Sequence, residues 1–263
     1  MSILQAALTA SNTRYAWFNL TDWVIEKNAI AAGTLEYYTI FALCILASTV
    51  VPYLLGSINP AILISRNIYR EDIRNYGSGN AGSTNMLRTY GKKAAGLTFA
   101  CDFMKAVIAC FWGILVWEMN GLGLAGFFVI FGHMYPVFEK FKGGKGVACL
   151  CGVVLITSIF TNNWIAHFIP FTFLFLAIIF FAVVIGTRYV SMASVMGAFL
   201  YPVLLHSLST PEQAGNCVAM AVAIACFVIF KHKENLKRIY NRTESQISFH
   251  KTSKKKIEEN EEK

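Results

Sequence analysis

Phe171–Ile185 and Val218–Phe230 hold no charged residue and little that is polar, and similar runs recur along the chain. They constrain this sequence more than any motif does. In water such segments would have to be hidden in a core. Yet 56% of the 263 residues are hydrophobic and 14% are charged, against about 45–50% and 25% in soluble domains. The runs are apolar on every side, so a helix built from them offers no face to water. They also lack the two-residue alternation of outer-membrane barrel strands, and a disordered chain would not contain them. The pattern calls for an all-α, polytopic membrane protein.

Seven segments are long and apolar enough to cross: Tyr38–Ser65, Ala94–Trp117, Leu122–Phe138, Gly146–Phe160, Ile165–Gly186, Met192–His206 and Gly215–Phe230. The third, fourth and sixth are short for full crossings. Twenty of the 23 Lys and Arg residues fall in the first, third and fifth connections and the C-terminal tail, while the second, fourth and sixth connections hold none. By the positive-inside rule this predicts a seven-helix bundle with the N-terminus outside and the C-terminus in the cytoplasm. The net charge of +8 thus reads as topology signal and anionic-lipid contact, not as a nucleic-acid surface. Residues 1–36 read as an N-terminal extension, interfacial or loosely ordered, without the pattern of a cleaved signal peptide. Residues 37–240 form the membrane domain. Residues 241–263, ending in KKKIEENEEK, read as a disordered Lys/Glu-rich tail.

Seven cysteines show no CxxC spacing and serve as small apolar filler. The cytoplasmic connections carry the chemistry. The first reads Asn75-Tyr-Gly-Ser-Gly-Asn-Ala-Gly-Ser-Thr-Asn-Met-Leu-Arg88. Its glycines, Gly79 among them, let backbone N–H groups converge on an anion. Ser78, Ser83 and Thr84 add hydroxyls, Asn80 and Asn85 add amide donors, and Arg88 adds a guanidinium fork. It is not a Walker loop, since GxxxxGK[ST] is absent. The competing reading is a flexible polar loop ahead of a helix.

The second connection, Gly132-His-Met-Tyr-Pro-Val-Phe-Glu-Lys-Phe-Lys-Gly-Gly-Lys-Gly146, sets Lys142 and Lys145 around Gly143 and Gly144. It leads straight into an apolar helix, where a cation, backbone donors and a helix N-terminus would meet an anion together. As a bare positive-inside anchor it would not need the glycines. In the third, Arg188, Ser191 and Ser194 share a helix face by threes, although such serines commonly bond only to backbone. His232, Asn235 and Arg238 repeat that spacing where the last span ends. Within the second span Asp102 and Lys105 can neutralise each other, as an ion pair bracing the first loop or as catalytic groups.

The site is rich in phosphate ligands and poor in nucleophiles and bases. Glu71, Asp72, Glu139 and Glu234 show no evident pairing, no Cys stands beside His, and no metal-ligand spacing occurs. Such a site suits substrates that arrive activated and carry their own phosphates, with clamping and orientation as the catalysis. His232 is the best side-chain candidate for a base. A membrane carrier for organic phosphates is the alternative, but no internal repeat with matching broken helices is evident.

The stretches GSGNAGSTN, DFMKA, GHMYPVFEKFKGGKGVA, RYVSMAS and HKEN, in this order over Tyr53–Arg238, resemble the membrane glycerol-3-phosphate acyltransferases of the bacterial PlsY type, which use acyl phosphate as donor. The resemblance implies a seven-helix enzyme of the bacterial plasma membrane, its site facing the cytoplasm. That enzyme would make lysophosphatidic acid and inorganic phosphate from acyl phosphate and glycerol 3-phosphate. It implies roles in gathering the phosphates and the glycerol for Ser78, Arg88, Lys145, Ser194, His232 and Asn235, with Arg188 among the substrate contacts. The backbone at Thr84-Asn85 and Gly143-Gly144 would cradle the acyl phosphate. No metal or other cofactor is expected, and a monomer among membrane lipids suffices. Ser83 and Cys149 depart from the alanine and threonine usual in the family. The His-x4-Asp signature of another acyltransferase class is absent, since none of the five histidines has Asp five positions on.

Overall fold

The computed structural model describes residues 19–161, 170–209 and 211–247, and every regular element among them is helical. A short helix, α1 (Leu20–Lys27), precedes the long α2 (Leu35–Ser57), and α3 (Pro60–Ile68) follows after a two-residue break. A 3-10 turn at Ile73–Asn75 and the short α4 (Ser83–Tyr90) lead into α5 (Lys92–Met134). A second 3-10 turn at Val137–Glu139 precedes α6 (Val147–Thr161). Then come α7 (Phe171–Thr187), α8 (Val190–Leu208), α9 (Pro211–Lys231) and α10 (Lys233–Tyr240).

Three helical stretches are long and apolar enough to cross a membrane: Leu35–Ile68, Lys92–Glu139 and Val190–Leu208. The pair Asn216–Lys231 and Lys233–Tyr240, bent by 51°, is a fourth if taken as one span. Val147–Thr161 and Phe171–Thr187 are apolar but shorter.

The stretch Lys92–Met134 covers what the sequence suggests as two segments. Trp117 and Glu118 leave helical geometry, with Glu118 at φ 45°. The chain then turns back, because a Cβ on Gly121 would lie 2.0 Å from the Gly113 carbonyl oxygen. Residues eight apart in a straight helix would be about 12 Å apart. The two limbs of α5 therefore form a hairpin with its backbones in contact. Thr21 of α1 closes the turn, donating its hydroxyl to the Val116 carbonyl at 2.5 Å, and Asn19 donates to Glu118 at 2.9 Å. The first apolar segment also differs from expectation. It breaks after Ser57, because Asn59 caps α3 by accepting from the Ile62 N–H at 3.2 Å, with Pro60 opening the helix.

The α5 hairpin is the centre of the bundle and packs against α2, α6 and α9, while α8 lies between α7 and α9. Small residues permit the close approaches. A Cβ on Gly56 of α2 would meet the Val129 carbonyl at 2.2 Å, and one on Gly132 would meet that of Tyr53 at 2.2 Å. Between helices in lipid the hydrophobic effect contributes little, so backbone proximity and buried hydrogen bonds carry the association. Trp112 donates to the Ala47 carbonyl at 3.0 Å, and the Thr157 and Tyr201 hydroxyls meet at 3.0 Å. Large apolar side chains such as Ile178, Phe181, Ile185 and Phe199 point outward, as a lipid-facing surface requires.

The extension, read as interfacial or loosely ordered, contains the helix α1, and one expectation about the other end needs correction. Asn241–Ile247, read as part of a disordered tail, packs back on the bundle, because Glu244 finds buried partners there. Residues 1–18 and 248–263 lie outside the described residues.

Gly121→Val should lower the unfolding temperature of the detergent-purified protein sharply, because only backbone lies in the way; overpacking of this kind costs about 1–3 kcal/mol or more. Gly96→Ala, with open space at its Cβ, should leave the transition unchanged or raise it slightly. Tryptophan fluorescence during heating reads both.

Candidate active site

The first loop is built around one buried amide. Asn85 is 1% exposed, and its Nδ2 donates to the carbonyls of Tyr76 at 2.9 Å and Ile73 at 3.2 Å. Its Oδ1 accepts from the Ser78 N–H at 2.9 Å. Gly77, at φ 57°, passes so close that a Cβ there would meet Asn85 Oδ1 at 2.3 Å. The expectation that the Asn85 amide donates to a ligand is therefore corrected: both its hydrogens hold the loop. The side chains of Ser78, Asn80 and Thr84 make no hydrogen bond within the described residues, and Ser78 is exposed. Their donors, with the backbone at the start of α4, remain open to a ligand, whereas the Gly79 N–H, expected to face an anion, donates to the Tyr76 carbonyl at 3.0 Å.

The second loop is tied to the end of α5. Gly144 N–H donates to the His133 carbonyl at 3.1 Å. A Cβ on Gly143 would strike that carbonyl at 2.0 Å, and one on Gly144 would come 2.2 Å from His133 Nε2. Lys145 then projects toward the end of the bundle and bonds to Asn235 Oδ1. Asn235 Nδ2 donates to the Ser191 hydroxyl at 2.9 Å and to Glu244 Oε1 at 2.6 Å. Ser191 donates to that same oxygen at 2.6 Å, and Arg238 Nε pairs with Glu244 Oε2 at 2.7 Å. Burial works against the Glu244 carboxylate, but these bonds hold its pKa below the usual range.

Burial also pushes the Lys145 ammonium down to about 8. Glu244 opposes that shift, whereas Arg238, Arg88 and Lys231 add to it. Arg88 from the first loop therefore shares one field with Lys145 from the second. Arg88 also reaches the Ser245 carbonyl at 3.4 Å, and the Arg188 carbonyl accepts from the Ile247 N–H at 3.0 Å. Lys231 lies over the Tyr135 ring, 4.0 Å from its centroid. His232 is buried, and its Nδ1 lies 2.7 Å from the Val228 carbonyl. A carbonyl only accepts, so Nδ1 carries a proton and Nε2 is the atom left for other use. Ser194 donates its hydroxyl to the Val190 carbonyl at 2.8 Å, the backbone bonding that membrane serines commonly make. His206 is exposed, and His167 lies outside the described residues.

Contrary to the sequence reading, Asp72 and Glu139 are paired with arginines, whereas Glu234 is exposed and makes no ion pair among the described residues. Arg66 bridges Asp72 at 2.9 Å and Glu139 at 3.0 Å, and Arg74 bridges the same two at 2.7 and 3.3 Å. The Arg74 guanidinium holds the Asp72 carboxyl far below the ordinary range. Glu71 accepts from the Tyr90 hydroxyl at 3.1 Å. These pairs join the two loops, which adjacency along the chain could not reveal.

Asp102 and Lys105 form an ion pair at 2.8 Å, and His133 Nδ1 lies 3.0 Å from the same Asp102 oxygen. Asp102, His133 and Cys149 place potential metal-ligand atoms within 4.8 Å of one another. The Lys105 ammonium, 2.8 Å from Asp102 and 3.1 Å from His133, already takes the place of a cation there. That donor set does not fit a metal while the ammonium is present.

Three residues escaped the sequence reading as site components: His133, Lys231 and Glu244. His133 and Lys231 had a signal, since each adjoins a motif. Glu244 had none, because a lone carboxylate in a Lys/Glu-rich segment reads as solvated.

Together these features define a helical membrane protein in which two glycine-rich loops and a cluster of cationic side chains gather at one end of the bundle. The family model described as glycerol-3-phosphate acyltransferase matches residues 46–242, and the chain belongs to that family. It is 38% identical over 200 residues to a glycerol-3-phosphate acyltransferase of Thermoanaerobacter pseudethanolicus, covering 76% of this chain and 94% of the relative. It is 35% identical over 198 residues to one from Finegoldia magna, covering 75% and 93%. Among solved structures it resembles PlsY, an integral membrane glycerol 3-phosphate acyltransferase. In the glycerol 3-phosphate form the TM-score is 0.68 at 33% identity, over 78% of this chain and 96% of that one. In the lysophosphatidic acid form it is 0.64 at 31%, over 79% and 95%.

Asn85→Ala should leave the buried Ile73 carbonyl and the partly buried Tyr76 carbonyl without their donor, at about 1–3 kcal/mol for the buried group. Faster trypsin cleavage at Arg74 than in the unsubstituted protein would register the loosened loop.

Proposed function

We propose that this protein transfers an acyl group from acyl phosphate to glycerol 3-phosphate, making lysophosphatidic acid and inorganic phosphate for phospholipid synthesis. The observation that carries the reading is the convergence of Lys145 and Arg88, from two different glycine-rich loops, in one cationic field beside Asn235 and His232. Both substrates carry phosphate, and the site offers ammonium, guanidinium and open backbone donors for it. Lys145, Arg88, Ser78 and Asn235 bind the glycerol 3-phosphate, Arg188 and Ser194 border it, and the Thr84 and Gly143 N–H groups hold the acyl phosphate, since those of Asn85 and Gly144 donate to the Gly82 and His133 carbonyls.

In the reaction the glycerol hydroxyl oxygen attacks the acyl carbonyl carbon. The carbon–oxygen bond to phosphate breaks, and phosphate leaves with the bonding pair. A mixed anhydride needs no protein nucleophile. Its phosphate oxygens accept the hydroxyl proton, so orientation and charge neutralisation do the catalysis. The geometry around His232 supports this division of labour. Its Nδ1 is bonded to a backbone carbonyl and not to a carboxylate, so it lacks the orienting acid of a His–Asp pair. Nε2 serves as a ligand to the glycerol.

The bundle is proposed to cross the plasma membrane seven times, with the N-terminus outside and the site at the cytoplasmic face. The crossings are α2, the two limbs of α5, α6, α7, α8 and α9, and the Lys/Arg asymmetry supports this orientation.

Purified protein, palmitoyl phosphate and labelled glycerol 3-phosphate should give labelled lysophosphatidic acid, while palmitoyl-CoA gives none. Product from the thioester alone would overturn the donor, and no product from either with folded protein would overturn the reaction. His232→Ala should act chiefly by raising KM for glycerol 3-phosphate; a collapse of kcat at unchanged KM would make His232 the base.

A pH profile tests Lys145. Its lowered pKa means that the free protein loses this charge as pH rises through about 8, while a phosphate monoester, with its second pKa near about 6, stays dianionic. kcat/KM for glycerol 3-phosphate should therefore fall above about pH 8 and hold level just below it. Lys145→Arg, which does not titrate in this range, should remove that alkaline limb.

A further inference from the structure

Both glycine-rich loops rest on a buried charge cluster that the proposed reaction does not use. Lys105 Nζ lies 3.0 Å from the Gly56 carbonyl, 2.6 Å from that of Ile58, 2.8 Å from Asp102 Oδ1 and 3.1 Å from His133 Nδ1. An ammonium has three hydrogens and here meets four neighbours. The two carbonyls and the carboxylate can only accept, so they take the three hydrogens. His133 Nδ1 then carries its own proton and donates to Asp102 Oδ1, 3.0 Å away. This assignment satisfies the ammonium, both carbonyls, Asp102 Oδ1 and His133 Nδ1, and it fixes the His133 ring in one orientation.

Each partner leads to a loop. The Gly56 and Ile58 carbonyls lie where α2 ends, and Asn59, the next residue, reaches the Ala81 carbonyl of the first loop at 3.5 Å. On the other side, His133 Nε2 lies against Gly144, whose N–H is held by the His133 carbonyl. The loops meet here, since a Cβ on Gly144 would also come 2.7 Å from the Ala81 carbonyl. Ala81 and Gly144 are thus in contact over the ring that Asp102 holds, and the ammonium links that ring to the end of α2. Asp102 and Lys105 are 1% and 8% exposed, and His133 is 3% exposed. Charges so deeply buried are costly, and their replacement by apolar groups of similar shape is commonly neutral or stabilising. General stability is therefore a poor account of them, whereas fixing one geometry is a good one.

We propose that Lys105, with Asp102 and His133, is the positioning device that sets the spacing between the two glycine-rich loops, and hence between the donor and acceptor substrates. The kinetic part of this inference rests on the acyl-phosphate reading above. The structural part does not.

The test is the charge-neutral double variant Asp102→Asn/Lys105→Met, which leaves no unpaired charge behind. Methionine leaves the Gly56 and Ile58 carbonyls without their donor, so the unfolding temperature of this variant in the same detergent should fall while a single cooperative transition is retained. Backbone amide exchange should quicken in peptides covering residues 76–84 and 141–146 and stay unchanged in α8. With palmitoyl phosphate as donor, kcat should fall by about 100-fold, the cost of a displacement on the order of 1 Å, while KM for glycerol 3-phosphate stays within about threefold. Lys105→Arg, if the double variant fails to fold, retains the charge but not the shape. It should keep the unfolding temperature and still lose kcat.

Unchanged exchange in both loops, exchange quickened uniformly along the chain, or a fully active arginine variant would each overturn the proposal. An inactive unsubstituted protein would instead overturn the reaction, and the exchange measurement would still decide the positioning role.

Discussion

A helix broken in apolar surroundings leaves carbonyls and amides that water cannot reach, and much of this architecture follows from supplying them with partners. At the end of α2 the partner is the Lys105 ammonium, on the Gly56 and Ile58 carbonyls. At the turn of the α5 hairpin it is Thr21, on Val116. At the end of α5, Lys231 donates to the Met134 carbonyl at 3.2 Å and the Tyr53 hydroxyl to that of Tyr135 at 3.0 Å. Each of these bonds ties the broken end to a different helix. The breaks are therefore not weak points in the bundle but the places where its parts are fastened together, and two of them lie beside the candidate site.

The same requirement explains the way the site divides its polar groups. Some are consumed by structure: the Asn85 amide in the first loop, the His133 carbonyl in the second, the Ser191 hydroxyl at Glu244. Others stay open, notably Ser78, Asn80 and Thr84. A loop that spent all its donors on itself would bind nothing, and one that spent none would not hold a shape. Asn85 resolves this conflict, since a single side chain satisfies three backbone groups and leaves the remainder of the loop free.

What was legible in the sequence, and what was not, follows from range along the chain. The apolar runs and the glycine-rich loops are local signals, and each became an element or a turn where it stood; the Asn59-Pro60 helix start is local too, but reading Tyr38–Ser65 as one segment passes over it. The Asp102–Lys105 pair was also local, three residues apart on one helix. His133 as its third member was not, being separated from Lys105 by 28 positions. Glu244 bonds to Ser191 across 53, and the pairing of Asp72 with Glu139 through Arg66 and Arg74 exists only once the hairpin brings two loops together. Composition misled at the tail for a related reason. A Lys/Glu-rich segment cannot build a core of its own, but a single carboxylate facing Ser191, Asn235 and Arg238 is enough to order its first residues.

Glu244 also limits the electrostatics of the site. Lys145, Arg88, Arg238 and Lys231 would repel one another strongly if gathered without a counter-charge, and in a partly desolvated setting that repulsion is screened little by salt. One buried carboxylate on Asn235 and Arg238 offsets part of it while leaving the cluster net positive. On the proposed function, the remaining excess would attract a dianionic phosphate, and a bound phosphate would in turn stabilise the protonated Lys145 that burial disfavours. Binding and protonation at Lys145 would then be linked, with the substrate supplying the negative charge that keeps its own ligand charged.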